Sequence, residues 1–282
     1  MILVNDYVVE KGYFPDGTMN VKNEFFIDLF KNSNEFTFTW IWEDESETVL
    51  LYYLVSHVRE HCKRNSGFYL NMPYIPNARL DRTDNKLTDV FTLKYFCKFI
   101  NSLKFDRVYV MDAHSNVSLA LIDNVESIGI ITLIRSVYNT FKPDIFFFPD
   151  EGSYKRYAKY IKDNLFEEGN KTEVPCVFAN KQRTQSNGRI EGLSIVNPEQ
   201  VNGKRVLIVD DICSYGGTFL RSAKALKDAG AKEIALYVTH CENSIVDGDF
   251  IKSGLVEKIY TTNTILKKEH PLIEKVSHYK IP

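Results

Sequence analysis

Two adjacent carboxylates, two adjacent glycines and a hydroxyl, in the order Asp210, Asp211, Gly216, Gly217 and Thr218, stand between an apolar run and a helix-forming segment. The glycines let the backbone turn sharply and approach a ligand with no Cβ in the way. A helix start behind such a loop offers free N–H groups and the positive end of the dipole to a phosphate. Carboxylates cannot bind phosphate themselves. They hold sugar hydroxyls, or a metal that bridges to phosphate oxygens. Acids beside an anion cradle therefore point to a phosphorylated sugar. The competing reading is plain structure, because acids at the carboxyl ends of parallel strands occur in many α/β proteins that bind no sugar.

The segments that position these residues are readable too. The apolar run at 206–209 predicts a strand covered on both faces of a parallel sheet, ending at Asp210. Thr218 is the expected N-cap of a helix over 219–229, with Phe219, Ala223 and Leu226 on one stripe and Gly230 as its stop. The strand-then-acid pattern recurs at 107–112, followed by His114, and at 144–150, where Asp150 precedes a helix start. Capping that helix is a serious alternative role for Asp150. A strand from Phe68 runs into a loop carrying Arg79, Asp81 and Arg82, and another from Cys176 runs into a polar loop carrying Lys181 and Arg183. A solvated basic loop is the default for each.

Helices are expected over 47–63, with Val49, Leu51, Leu54, Val55 and Val58 inward, and over 88–103, with Leu93, Phe96, Cys97 and Ile100 inward. Residues 36–42 alternate like a strand, 234–240 read as a further parallel strand, and 12–18 form a turn by their Pro-Asp-Gly content. Repeated units of this kind argue for α/β architecture with parallel sheets and sites at their carboxyl ends.

Composition narrows the class. At 282 residues the chain can bury a large core in one big domain or two. Basic and acidic residues number 35 and 37, so nothing in the overall charge suggests nucleic acid. The five cysteines include no Cys-x-x-Cys pair, which suggests neither a disulfide framework nor a zinc knuckle and fits a reducing cytoplasm. No signal-peptide pattern opens the chain and no apolar run reaches membrane-spanning length.

From Val209 to Thr218 the chain resembles the ribose-5-phosphate loop of the phosphoribosyltransferase fold, and its flanks are similar to one family in particular, the ribose-phosphate diphosphokinases (phosphoribosyl-diphosphate synthetases). The resemblance runs in order from about Phe14 to Ile265. It implies two phosphoribosyltransferase-like (type I) domains with parallel sheets flanked by helices, taken as 1–130 on the ATP side and 131–282 on the sugar-phosphate side. The implied reaction moves the β,γ-diphosphate of ATP to the anomeric 1-hydroxyl of a ribose 5-phosphate-type acceptor and releases AMP, with Mg²⁺ as cofactor. By the same resemblance Phe14, Asp16, Arg79, Asp81 and Arg82 bind ATP, and His114 and Asp150 hold the metal. Lys181, Arg183 and His114 are catalytic, the first two from a loop that closes over the phosphates. Asp150, Asp210, Asp211, Ser214, Tyr215, Gly216, Gly217 and Thr218 hold the sugar phosphate. If Phe14 and Asp16 serve a neighbour's ATP, the working unit is a homodimer or larger.

This chain departs from the family's pattern at several positions. Thr18 stands for a Glu, Leu80 for a Gln and Phe148 for a Ser, while Ser214 and Tyr215 replace the Asp-Thr of Asp-Asp-x-x-Asp-Thr-x-x-Thr. A less negative loop with a phenol that can stack on a base suggests an acceptor extended beyond the 5-phosphate. ADP-ribose, which would link the reaction to NAD metabolism, then stands beside ribose 5-phosphate itself. Two rival readings stay open: a phosphoribosyltransferase that consumes the activated sugar, and a catalytically silent regulatory member of the family.

Overall fold

The computed structural model describes residues 1–83, 88–166, 174–183 and 190–276, without side chains at 181–183 and 190–192. The chain divides into two compact units, Met1–Ile128 and Gly129–Ile281.

The first unit opens with β1 (Ile2–Val4) and β2 (Tyr7–Val8), then a separate hairpin of β3 (Lys11–Tyr13) and β4 (Met19–Val21). There follow α1 (Phe25–Asn32), β5 (Glu35–Trp40), α2 (Ser46–His61), β6 (Gly67–Asn71), α3 (Thr92–Ser102), β7 (Arg107–Met111), α4 (Asn116–Leu121) and β8 (Val125–Ile128). The sheet order is β2-β1-β5-β6-β7-β8. β5 to β8 are parallel, and β1 lies antiparallel to both β2 and β5. Phe36, Phe38 and Trp40 alternate along β5 into the core. Leu93, Phe96, Cys97 and Ile100 are buried as the helical spacing requires, but α3 begins only at Thr92, later than the pattern suggested. In α2 the buried stripe is Leu50, Leu51, Leu54, Val55 and Val58 together with Glu47. Val49, expected inward, is 47% exposed. Two residues subtend about 200° on a helix, so Val49 and Leu51 cannot share a face. The buried Glu47 carboxylate accepts from the Trp40 indole and the Glu43 N–H, each at 2.9 Å, and pairs with the Met1 amino group.

The second unit runs α5 (Ile131–Phe141), β9 (Ile145–Phe148), α6 (Glu151–Asn164), β10 (Cys176–Arg183), β11 (Ile190–Ile195), β12 (Arg205–Cys213), α7 (Gly217–Asp228), β13 (Glu233–Cys241), α8 (Asp249–Lys252), β14 (Lys258–Thr261) and β15 (Ile273–Lys275). Its sheet order is β11-β10-β9-β12-β13-β14-β15, parallel except for the β10–β11 pair. All four residues of β9 and Val206 to Val209 of β12 are buried, the signature of strands covered on both faces.

The strand predicted to end at Asp210 continues to Cys213, because pairing with β13 extends through Asp210↔Val238, Ile212↔His240 and Cys213↔Cys241. Asp is a poor strand former, and here tertiary pairing overrides that preference. Among the described residues, no helix is long and apolar enough to cross a membrane.

Candidate functional site

The order of the second sheet reverses at one place. β9 lies between β10 and β12, so the chain leaves it first to one side and later returns to the other. Such a reversal opens a crevice at the carboxyl ends of the two strands, where α/β sheets bind ligands. Asp150 follows β9 directly, and Asp210 and Asp211 lie in the last part of β12.

These three carboxylates feel one another. Burial pushes the Asp210 carboxyl well above the usual carboxylate range, Asp211 pushes it further, and Asp150 adds a smaller share. The Asp211 N–H donates to Asp210 Oδ1 at 3.0 Å and works the other way. Asp211 has a cationic partner: Arg156 Nη1 on α6 is 3.3 Å from its Oδ1. The sequence reading missed Arg156. Its only local signal is a place six residues beyond Asp150 on the helix that Asp150 opens, and its partner is remote in the chain.

Asp150 is the N-cap of α6. Its Oδ1 accepts the Ser153 N–H at 2.9 Å, and the Ser153 hydroxyl contacts the Asp150 N–H at 3.3 Å, which together make a capping box. The structural alternative for Asp150 is thus realised. The Asp150 charge also acts on Asp210, whose carboxyl it helps to raise.

Behind β12 the loop turns on Gly216, whose φ of +83° is the left-handed conformation that glycine adopts without penalty. Gly216, not Thr218, is the N-cap of α7, and no side chain caps this helix start. With Gly217 already helical, Thr218 falls inside the first turn, where its hydroxyl no longer occupies the cap position. The first N–H groups of α7 therefore have no intrahelical acceptor. A Cβ on Gly216 would lie 2.6 Å from Phe250 Cβ, and one on Gly248 would overlap the Tyr215 carbonyl oxygen. The loop is thus seated on α8 and the turn before it. Tyr215 holds its phenol 62% exposed. The Ser214 hydroxyl is 3.4 Å from that of Ser244, which donates to Glu242 Oε2 at 3.3 Å. The carboxylate missing at position 214 thus has a counterpart in Glu242, two hydrogen bonds away.

Lys181 and Arg183 stand in β10 and not in a loop. Their backbones pair with Leu193 and Ile190 of β11, so the ladder extends further than the polar sequence suggested. The rest of the expected closing loop, 184–189, lies outside the described residues.

In the first unit, the segment with Arg79, Asp81 and Arg82 follows the carboxyl end of β6, and His114 follows that of the neighbouring β7. Topology therefore brings both to one edge of the parallel ladder. Asp112 takes a left-handed φ of 44° as the chain leaves β7, and His114 is half-buried. Arg82 Nε is 3.8 Å from Asp81 Oδ1. Phe14 and Asp16 sit at the tip of the β3–β4 hairpin. The Asp16 carboxylate accepts from the Thr18 hydroxyl at 2.7 Å and the Thr18 N–H at 2.9 Å, which hold its pKa below the usual value. In this structure Asp16 caps its own turn. Among the described residues, no group of three or more His, Cys, Asp or Glu is arranged to hold a metal ion.

Residues 122–254 match the phosphoribosyl transferase domain model. The ribose-phosphate pyrophosphokinase of Campylobacter jejuni is 31% identical over 212 residues, covering 73% of this chain and 64% of that protein. Its counterpart in Pyrococcus abyssi is 30% identical over 199 residues, covering 69% and 64%. The chain belongs to the ribose-phosphate pyrophosphokinase family. It is a divergent member and spans 64% of the length of these relatives. The phosphoribosylpyrophosphate synthetase structure from Mycobacterium smegmatis superimposes with a TM-score of 0.75 at 17% identity, covering 96% of this chain and 86% of that one. The fold expected from the resemblance, two α/β units with mainly parallel sheets flanked by helices, is therefore the fold of this family member.

Proposed function

We propose that the chain is an ATP-dependent diphosphokinase acting on a ribose 5-phosphate-type acceptor. The observation that carries this reading is the reversal of strand order at β9 and β12, whose carboxyl ends lead into Asp150, Asp210 and the Gly216 turn that opens α7. In this family that is the chemistry of a sugar phosphate: N–H groups of α7 for the 5-phosphate, carboxylates for the ribose hydroxyls. Asp210 takes the hydroxyls, Arg156 keeps Asp211 oriented, and Tyr215 lines the mouth of the loop.

Hard oxygen donors and more carboxylate than guanidinium charge around Asp210 fit a divalent cation held jointly with substrate phosphates. In the second unit Asp150 would hold Mg²⁺, which neutralises charge on the phosphates when bound; in the first unit the family resemblance gives His114 a metal role of its own, through a bound water. Arg79 and Arg82 supply guanidinium groups for ATP, whose planar forks suit phosphate or adenine. The anomeric oxygen loses its proton and bonds to the β-phosphorus, the bond from that phosphorus to the oxygen of AMP breaks, and Lys181 and Arg183 offset the charge that develops. Alignment and charge neutralisation carry such a step without a covalent intermediate.

The exposed Tyr215 phenol beside the cradle favours a second acceptor reading, ADP-ribose, whose adenosine end extends from the same 5-phosphate. AMP release from Mg-ATP, measured in parallel with ribose 5-phosphate and with ADP-ribose, tests both. AMP with either acceptor, lost in Asp210→Asn, supports the proposal and names the acceptor. AMP with neither sinks it in favour of a silent, regulatory family member.

A further inference from the structure

His57 and His61 stand four residues apart at the exposed C-terminal end of α2, in the first unit, far in sequence from every residue of the proposed reaction. Their ring centroids are 4.5 Å apart. Residues at i and i+4 share one helix face, and two histidines so spaced form a bidentate set for a metal. The full run, His57-Val58-Arg59-Glu60-His61, has the H-x-x-E-H spacing found on metal-binding helices.

The local chemistry prepares both rings as ligands. His61 Nδ1 is 2.8 Å from the His57 carbonyl oxygen. A carbonyl only accepts, so Nδ1 is the donor in this contact and Nε2 is the nitrogen that it leaves for a ligand bond. The aromatic surroundings hold the rings in place. The Phe26 ring meets His57 edge-on at 5.0 Å, and the Phe30 centroid is 5.6 Å from both imidazoles. Ligands held in position before binding lose less freedom when the metal arrives.

We infer that His57 and His61 form a surface site for a divalent late-transition cation, with water completing the coordination sphere. Imidazole nitrogen selects copper, nickel and zinc and disfavours magnesium, so this site is chemically distinct from any Mg²⁺ used with ATP. Among the described residues no third His, Cys, Asp or Glu joins the pair, which makes it a binding site and not a hydrolytic centre.

The test is titration of the full, untagged chain with CuCl₂ and with ZnCl₂ by calorimetry, repeated on His57→Asn, His61→Asn and, as a control, His270→Asn. One site per chain is expected, tighter for Cu²⁺ than for Zn²⁺ and undisturbed by excess Mg²⁺. Each of the two α2 variants weakens it by about tenfold or more, and the control leaves it unchanged. Metal should also raise the unfolding midpoint of the wild-type chain and not that of His61→Asn. Isotherms for His57→Asn and His61→Asn that coincide with wild type, in variants whose metal-free unfolding is unchanged, would overturn the assignment.

Discussion

The two sheets of this protein are wound differently. In the first unit the parallel strands β5 to β8 follow one another in chain order, so every crossover advances the same way. In the second, β9 sits between β10 and β12 and the winding reverses. Only the reversal creates a crevice between adjacent strand ends, and there the carboxylates gather. The candidate groups of the second unit are accordingly part of its framework: a strand residue, a helix cap, a glycine with a forced conformation. Those of the first unit hang on connections, at the tip of the β3–β4 hairpin and in the segments beyond β6 and β7. The difference teaches where chemistry and stability are coupled. Substitutions at Gly216, Arg156 and Asp210 of the second unit are therefore expected to change stability, and one at Arg82 of the first to leave it alone.

Gly216 should show the largest effect. Alanine there must adopt a left-handed φ and push a Cβ to 2.6 Å from that of Phe250. Left-handed strain and overpacking together predict a loss of roughly 2–4 kcal/mol in urea unfolding. Gly217→Ala is its internal control, since that Cβ would find its nearest atom at 3.9 Å, inside a helix that prefers alanine. If the two variants unfold alike, the loop is not seated on Phe250 and the coupling argument fails.

The acid cluster gives effects of intermediate size and opposite sign. Arg156→Met strips the partner from the buried Asp211. Because Arg156 is about a third exposed, the cost is discounted to about 1–2 kcal/mol. Asp210→Asn should stabilise. The folded pKa of Asp210 is raised, so as pH climbs from about 4 the unfolded chain gives up this proton first, and wild-type stability falls until the folded group ionises too. Asparagine removes that decline, so the variant gains on wild type as pH rises toward 7. Thermal unfolding from pH 4 to 8 checks it. Wild-type and Asp210→Asn curves that run parallel would mean the three carboxylates do not share a crevice.

How far the sequence alone carries is clear from the same residues. The apolar runs of β9 and β12 and the inward stripe of α3 are legible because burial on both faces, or on one helix face, leaves a period in the chain. The glycine pair marked the loop. The cap position did not follow, because the choice between Gly216 and Thr218 depends on where the backbone turns left-handed, and Phe250 helps decide that from another segment. Asp150 carried two readings that sequence could not separate, and the structure shows one carboxylate engaged in both a cap and a field. Arg156 was invisible because its partner lies across the sheet on another element. Strand β12 ran past its acids because β13 paired with them. In each case the missing information was tertiary.

The smallest effect tests the other half of the contrast. Arg82 is 90% exposed, and its ion pair with Asp81 is long, at 3.8 Å. Exposed pairs of this kind contribute about 0–1 kcal/mol, and surface substitutions away from special features stay within about ±0.5 kcal/mol. Arg82→Ala should therefore leave both the urea midpoint and the slope of unfolding unchanged. On the proposed reading it should still raise the KM for Mg-ATP, since a largely exposed guanidinium can pair with phosphate at little cost to the fold. That split, binding lost with stability intact, is the opposite of what Gly216→Ala predicts. If Arg82→Ala unfolds the chain as readily as Gly216→Ala, the loops beyond β6 and β7 are framework too, and the difference in winding carries no functional meaning.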